Sequence, residues 1–226
     1  NEYNGNGEDG DYVKGQQDDD DCEPVILKPN GFDLALRKFI TQVNGEDVTP
    51  SREPVFSGEI NESTNSWRYD HTKDPVLVKT GDIITYTLRI YNEGTIDGYA
   101  QVIADDLPEG IEFLPTNTIN TTYGWKMYDK SDKETTDISK AVRIKTDYLS
   151  KANETNERSN LIKAFDQDTM KSPDYKDVQI AFKVTEPNTS DRIVKNSAQI
   201  VDDADKDGNE IDDVDSIPDE WKGEDD

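Results

Sequence analysis

At 226 residues the chain is long enough for one large domain or two small ones, yet only 32% of it is hydrophobic and its formal net charge is −25. So negative a surface repels nucleic acid and anionic membranes, both polyanions. The sequence has no run of about 18 apolar residues from which to build a membrane-spanning helix. The charge is unevenly spread. Residues 1–29 hold nine acids and two bases, residues 202–226 hold thirteen acids and two bases, and the 172 residues between them hold 28 acids and 21 bases. This pattern predicts a globule at 30–201 between an acidic N-terminal arm, 1–29, and an acidic C-terminal segment, 202–226. Val25–Lys28 is apolar enough to add a strand, within the chain or at the sheet edge of a neighbouring subunit. Cys22, the single cysteine, allows no internal disulfide, so an exported domain would need another staple.

In chain order, Phe32–Ile40 alternates without glycine or proline and predicts the first strand, and Asn44-Gly45 marks a turn. Residues 50–75 read as polar and irregular, anchored by Trp67 and Tyr69. A short strand is predicted at Val76–Lys79 and a strong one at Ile83–Tyr91. In the latter Ile84, Tyr86, Leu88 and Ile90 face one way, and Thr85, Thr87 and Arg89 the other. Asn92-Glu-Gly94 turns the chain into Tyr99–Asp105, expected as the hairpin partner of that strand. Pro108 and Gly110 break it before Ile111–Leu114. Trp125–Tyr128 and Ala141–Tyr148 read as strands, and Leu161–Phe165 as a short helix. Val178–Val184 is another alternating strand, and Ile193–Val201 closes the domain. Eight or more strands with polar loops predict an all-β antiparallel sandwich.

Two of these strands carry a polar intruder in the core-facing row. Leu34, Leu36, Lys38 and Ile40 share one face of the first strand; Val194, Asn196, Ala198 and Ile200 share one face of the last. A buried lysine is costly unless paired or chemically altered. Beside an asparagine it has a route to neutrality: its amine attacks the carboxamide, ammonia leaves, and an amide crosslink remains. Burial lowers the lysine pKa and raises that of a neighbouring acid, which can then polarise the carboxamide and shuttle protons. Asp105 is in phase with Ile103 and Leu107 and so points inward as well. The competing reading is a lysine that snorkels to the sheet edge and an asparagine bonded only to backbone.

The segment Val78-Lys-Thr-Gly-Asp-Ile-Ile-Thr-Tyr-Thr-Leu-Arg-Ile-Tyr-Asn-Glu-Gly94 is similar to a strand-turn signature in repeat domains of Gram-positive surface proteins. Ala104-Asp-Asp-Leu-Pro-Glu-Gly-Ile-Glu-Phe113 resembles the aspartate, leucine-proline, glycine, aromatic segment of the same family. Asn196-Ser-Ala198 resembles its terminal asparagine motif. The resemblance runs from about residue 32 to 217. It implies an immunoglobulin-like sandwich akin to collagen-adhesin and major-pilin domains, many of which carry a spontaneous lysine–asparagine isopeptide bond promoted by an acid. On that pattern Lys38 is the amine donor, Asn196 the acceptor and Asp105 the promoting acid, with Asp106 directly after it as the second choice.

Asp203-Ala-Asp205-Lys-Asp207-Gly208-Asn209, followed by Asp212 and Asp213, resembles the first half of a calcium loop. The terminal glutamate of an EF-hand is replaced by Val214, so the segment reads equally as a looser calcium site or as a solvated acidic linker. Asp18–Asp21 reads as a solvated acidic run. Asn61, Asn120, Asn153 and Asn188 open Asn-x-Ser/Thr triplets and read as loop residues. His71 is the sole histidine, and no Gly-x-Ser-x-Gly motif, zinc ligand set or phosphate-cradling loop occurs.

The expectation from sequence is therefore a non-enzymatic, extracellular module, cell-surface or cell-wall associated, in a stalk, pilus or fibre. A single-turnover crosslink and calcium would stiffen it, neighbouring copies would be its partners, and it would contact neither nucleic acid nor the bilayer interior. The alternative is an adhesin domain that binds a host or matrix ligand.

Overall fold

The computed structural model describes residues 31–61, 66–186 and 192–213, so the expectations for the N-terminal arm, Val25–Lys28, Cys22, Asn188 and the chain beyond Asp213 lie outside the described residues. The strands are, in order, β1 (Leu34–Val43), β2 (Glu46–Asp47), β3 (Val55–Asn61), β4 (Ser66–Asp70), β5 (Ile83–Asn92), β6 (Gly98–Asp106), β7 (Ile111–Phe113), β8 (Lys126–Tyr128), β9 (Glu134–Thr135), β10 (Arg143–Thr146), β11 (Tyr175–Val184) and β12 (Ala198–Asp205). One antiparallel sheet has the order β2-β1-β5-β11-β7 and a second the order β12-β6-β10-β8-β9; β3 and β4 form a two-stranded third sheet. The fold is all-β.

The alternation of hydrophobic residues accounts for the packing. Leu88 and Ile90 of β5 and Val178, Ile180 and Phe182 of β11 are fully buried against Ile103 of β6 and Ile144 of β10, so the two large sheets share one core. Each such side chain contributes about 1.5–3 kcal/mol by leaving water. The other face of the first sheet is covered too. Ala35 and Tyr91 pack with Trp67, Tyr69 and Phe165 in a separate cluster, with the Phe56 ring 5.4 Å from Trp67 and 5.6 Å from Tyr69. The stretch expected to be irregular at 50–75 thus contains a β-hairpin. Its alternation is blurred because the register shifts between Phe56 and Ile60, where Gly58 takes a left-handed φ of 76°.

Several expectations are corrected. Gly98–Asp106 is not the hairpin partner of β5: it pairs with β10 and β12 in the opposite sheet. The link between β5 and β6 is tied down instead. The Asn92 carboxamide donates to the Ile96 and Ile162 carbonyls and accepts from Gly94 N. At Gly98 a side chain would collide with the Phe32 ring and the Ala204 carbonyl, so only glycine lets these backbones approach.

Leu161–Phe165 is not helical, because that link takes its amides: Ile162 N bonds to Gly98 O, Ala164 N to Asp97 Oδ1 and Phe165 N to Gly94 O. The short helix is α1 (Thr118–Thr122), capped by Asn117. Asn120 within it is fully buried and exchanges hydrogen bonds with the backbone of Ala181, so it is no loop residue. Val76–Lys79 forms no strand, and Leu77 is 98% exposed. The last strand is displaced along the chain. It spans Ala198–Asp205, continues past the expected boundary at Val201, and leaves Asn196 two residues before its start.

Candidate functional site

The core row of β1 places Lys38 opposite Leu88 of β5, with its side chain only 9% exposed. Asp105 lies near the end of β6, opposite Ile144 of β10 and Ala198 of β12, with no exposed surface. The sheets therefore bring a β1 residue and a β6 residue together across the core, and Lys38 Nζ lies 2.5 Å from Asp105 Oδ2. Asn196 reaches the same spot although it precedes β12, because Asp106 N bonds to Ser197 O at 3.1 Å and holds that segment against the end of β6. Both carboxamide atoms of Asn196 are buried. They lie close enough to Asp105 to favour its ionised form, yet neither Oδ1 nor Nδ2 makes a well-aligned hydrogen bond. Asp105 Oδ1 is likewise buried without one.

Burial decides the electrostatics. It pushes the Lys38 amine below its ordinary value, against the pull of the Asp105 charge. It also pushes the Asp105 carboxyl above its ordinary value, against Lys38 and Asn196. Both shifts favour the neutral pair, an uncharged Lys38 amine beside a protonated Asp105. The Tyr86 ring lies 4.7 Å from that nitrogen, an aromatic wall that the alternation of β5 turned inward. The acid choice has a structural counterpart. Asp106, one residue on and therefore on the opposite face, is 55% exposed and bonds to Arg143 Nε at 2.8 Å.

A neutral amine, a protonated acid and an unengaged carboxamide form a set capable of amide exchange. Nζ can add to the Asn196 Cγ while Asp105 donates its proton to the carboxamide oxygen. Collapse expels the Nδ2 nitrogen as ammonia, with protons passed through Asp105. One C–N bond forms, one breaks, and Asp105 is regenerated.

The acidic segment is arranged differently. Asp205 Oδ1 accepts from Asp207 N and Asn209 N, at 2.8 and 2.9 Å, and so folds its own loop, with Gly208 at a φ of 86°. Asp207 pairs with Lys206, and Asp213 Oδ2 accepts from Leu34 N at 2.8 Å. Asp203 is half-buried; burial and then the charges of Asp213, Asp202, Asp212 and Glu210 push its carboxyl up to about 7. Among the described residues, no group of three or more histidine, cysteine, aspartate or glutamate side chains converges to hold a metal ion.

Sequence reasoning did not single out a second ionic site on the other face of the first sheet. Arg89 of β5 forks onto Asp177 of β11, with Nε–Oδ1 and Nη2–Oδ2 distances of 2.8 Å, and its Nη1 reaches Glu53 Oε1 at 2.6 Å. Its guanidinium lies 3.8 Å from the Tyr175 ring centroid. Alternation had placed Arg89 outward, but nothing local marked that face as covered.

Among the described residues, no helix is long and apolar enough to cross a membrane. No family model, curated protein or solved structure matches the chain.

Proposed function

We propose that this chain is a structural module of a bacterial cell-surface stalk, pilus or extracellular fibre. In this reading it is an immunoglobulin-like sandwich that joins neighbouring copies and is stiffened by a self-formed amide between Lys38 and Asn196. The observation that carries the reading is the buried meeting of three groups: Lys38 Nζ at 2.5 Å from Asp105 Oδ2, and an Asn196 carboxamide buried beside them without a well-formed bond. A free Lys–Asp pair at this depth is a poor investment, since burying charges costs more than their attraction returns unless the geometry is excellent. Conversion to a neutral amide consumes both the buried amine and the unsatisfied carboxamide. The bond would tie β1 at one end of the chain to the segment entering β12 at the other. Tension applied along the fibre would then pass through a covalent path without unzipping the sheets. Because the reaction occurs once per molecule and consumes its own side chains, the protein is not an enzyme in this reading.

Intact-mass spectrometry of the purified protein tests it. Loss of ammonia lowers the mass by about 17 Da from the sequence value, and peptide mapping should recover Lys38 and Asn196 in one branched fragment. A wild-type protein at full sequence mass would rule the reading out.

A further inference from the structure

Arg37, next to Lys38 but on the opposite face of β1, is only 6% exposed. Among the described residues its guanidinium meets no carboxylate. Nη1 donates to the Leu36 carbonyl at 3.0 Å, and the Tyr69 ring centroid lies 5.1 Å from Cζ. In a chain with twice as many acids as bases, 50 against 25, a nearly buried arginine without an acid among the described residues is an anomaly. Other cations gather beside it. Lys73 Nζ donates to the Lys38 carbonyl, and Arg52 Nη2 to the Asp74 carbonyl. His71 feels Lys73, Arg37 and Arg52 strongly enough that burial and these charges together push its imidazole down to about 4. Its Nδ1 is buried with no hydrogen-bond partner among the described residues. The nearby acids are engaged elsewhere: the Asp74 carboxylate accepts from Thr72, Asp70 pairs with Arg68, and Glu53 with Arg89.

We propose that the cluster of Arg37, Arg52, His71 and Lys73 is a carboxylate-binding site, and that its occupant is the Asp18–Asp21 run of the same chain. Four consecutive carboxylates match a patch of three permanent cations and one imidazole nitrogen. The run is in reach: eleven chain steps lead from Asp21 to Phe32, which span up to about 36 Å when extended, and Phe32 to Arg37 is about 17 Å of strand. A separate polyanion must approach a protein of charge −25, whereas a tethered run meets the cations at an effective concentration in roughly the millimolar range without a charged encounter. Docking would supply Arg37 with its missing counter-charge and His71 Nδ1 with an acceptor once that nitrogen is protonated. It would also lay the N-terminal arm across the outer face of β1, immediately behind Lys38, so that chain entering from a preceding module is held at a fixed place.

His71 is the only histidine in the chain, so its ring resonances report on the site without assignment ambiguity. The experiment is an NMR pH titration of His71 in the full chain at low salt. The wild type is compared with a variant carrying Asp18→Asn, Asp19→Asn, Asp20→Asn and Asp21→Asn, which alters no residue of the described fold. Docked carboxylates favour the imidazolium, so the variant should titrate lower by roughly half a unit or more. Raising salt to about 0.5 M should bring the wild type toward the variant, because screening acts within a few ångströms at that strength. Neutralising Asp219, Glu220, Asp225 and Asp226 in the same way should leave His71 unchanged. Identical titrations of wild type and the Asp18–Asp21 variant would overturn the proposal. So would a His71 shift that depends on protein concentration, which would place the run of a second copy in the site, or a response only to the C-terminal substitutions.

Discussion

The first sheet carries one buried cation, Lys38, on its inner face and two, Arg37 and Arg89, on its outer face, and Lys38 and Arg89 are handled in opposite ways. Arg89 lies against carboxylates that keep contact with water: Asp177 is 32% exposed and Glu53 52%. Burial disfavours the Arg89 charge, but the Asp177 and Glu53 hydrogen bonds outweigh it and hold the guanidinium firmly ionised. Lys38 lies against a carboxylate with no exposed surface, and there the penalty on both charges outweighs their attraction. The difference is the depth of the acid more than that of the base. An arginine with a fork of solvated partners is a stable ion network, whereas a lysine sealed in with a dry aspartate is pushed toward a reactive neutral pair.

The largest expected effect is at the dry site. Lys38→Ala should return the protein to its full sequence mass and destabilise it by roughly 5 kcal/mol in chemical denaturation relative to the crosslinked form, if a bond closing a 158-residue loop acts on the unfolded chain as a disulfide does. Asn196→Ala should do the same. Asp105→Ala should leave the protein folded and uncrosslinked, separating the chemistry from the packing; if Asp106→Ala blocks the reaction instead, the acid has been misassigned.

At the wet site, Arg89→Met should lower stability by only about 1–2 kcal/mol, because Glu53 and Asp177 can rehydrate when their partner leaves. It should leave the deficit of about 17 Da from the variant's own sequence mass in place. A loss at Arg89 larger than that at Lys38 would break the comparison.

The smallest effects concern pH. Asp203 has a folded-state pKa of about 7, above its ordinary value near 4, so the folded form binds more protons between those limits. Its contribution is therefore complete below about pH 4 and is lost as pH rises toward 7. His71, held at about 4 against an ordinary 6.5, has the opposite sign: its contribution is present above about pH 6.5 and is lost as pH falls toward 4. The two partly cancel in the wild type. Melting temperatures between pH 4 and 7.5 should thus decline more slowly with rising pH in Asp203→Asn, and decline more steeply in His71→Gln, than in the wild type. If both variants track the wild type, neither group is as perturbed as its surroundings imply.

Much of the candidate site was legible because strand alternation is a local property. Lys38 shares its row with Leu34, Leu36 and Ile40, and Asp105 its row with Ile103, so their inward direction followed from spacing alone. The parity that sends Asp105 inward sends Asp106 out to Arg143. Asn196 was found by the same rule for a partly mistaken reason: it stands in a non-strand segment before β12, delivered to the site by the bond between Asp106 N and Ser197 O. The Arg89 network and the Arg37 cluster were not legible. Each depends on whether the outer face of the first sheet is covered, and the covering hairpin, β3 and β4, is disguised by a bulge and by interleaved charged residues.

The sequence by itself determined the all-β character, the core-facing rows and the presence of a lysine and an aspartate within them, because a two-residue period and the cost of exposing apolar surface act residue by residue. Only the tertiary structure decided that β6 leaves its neighbour β5 for the opposite sheet, that the C-terminal acids Asp202, Asp203 and Asp205 continue a strand, and that Lys38 and Asp105, 67 residues apart, meet at 2.5 Å. Those outcomes rest on which strand edges pair across long loops. An alternating segment presents the same pattern of side chains and hydrogen-bonding groups to any partner, so nothing within it specifies the neighbour. That choice is made by distant contacts, such as the Gly98 backbone against the Phe32 ring and Ala204, which exist only once the chain has closed.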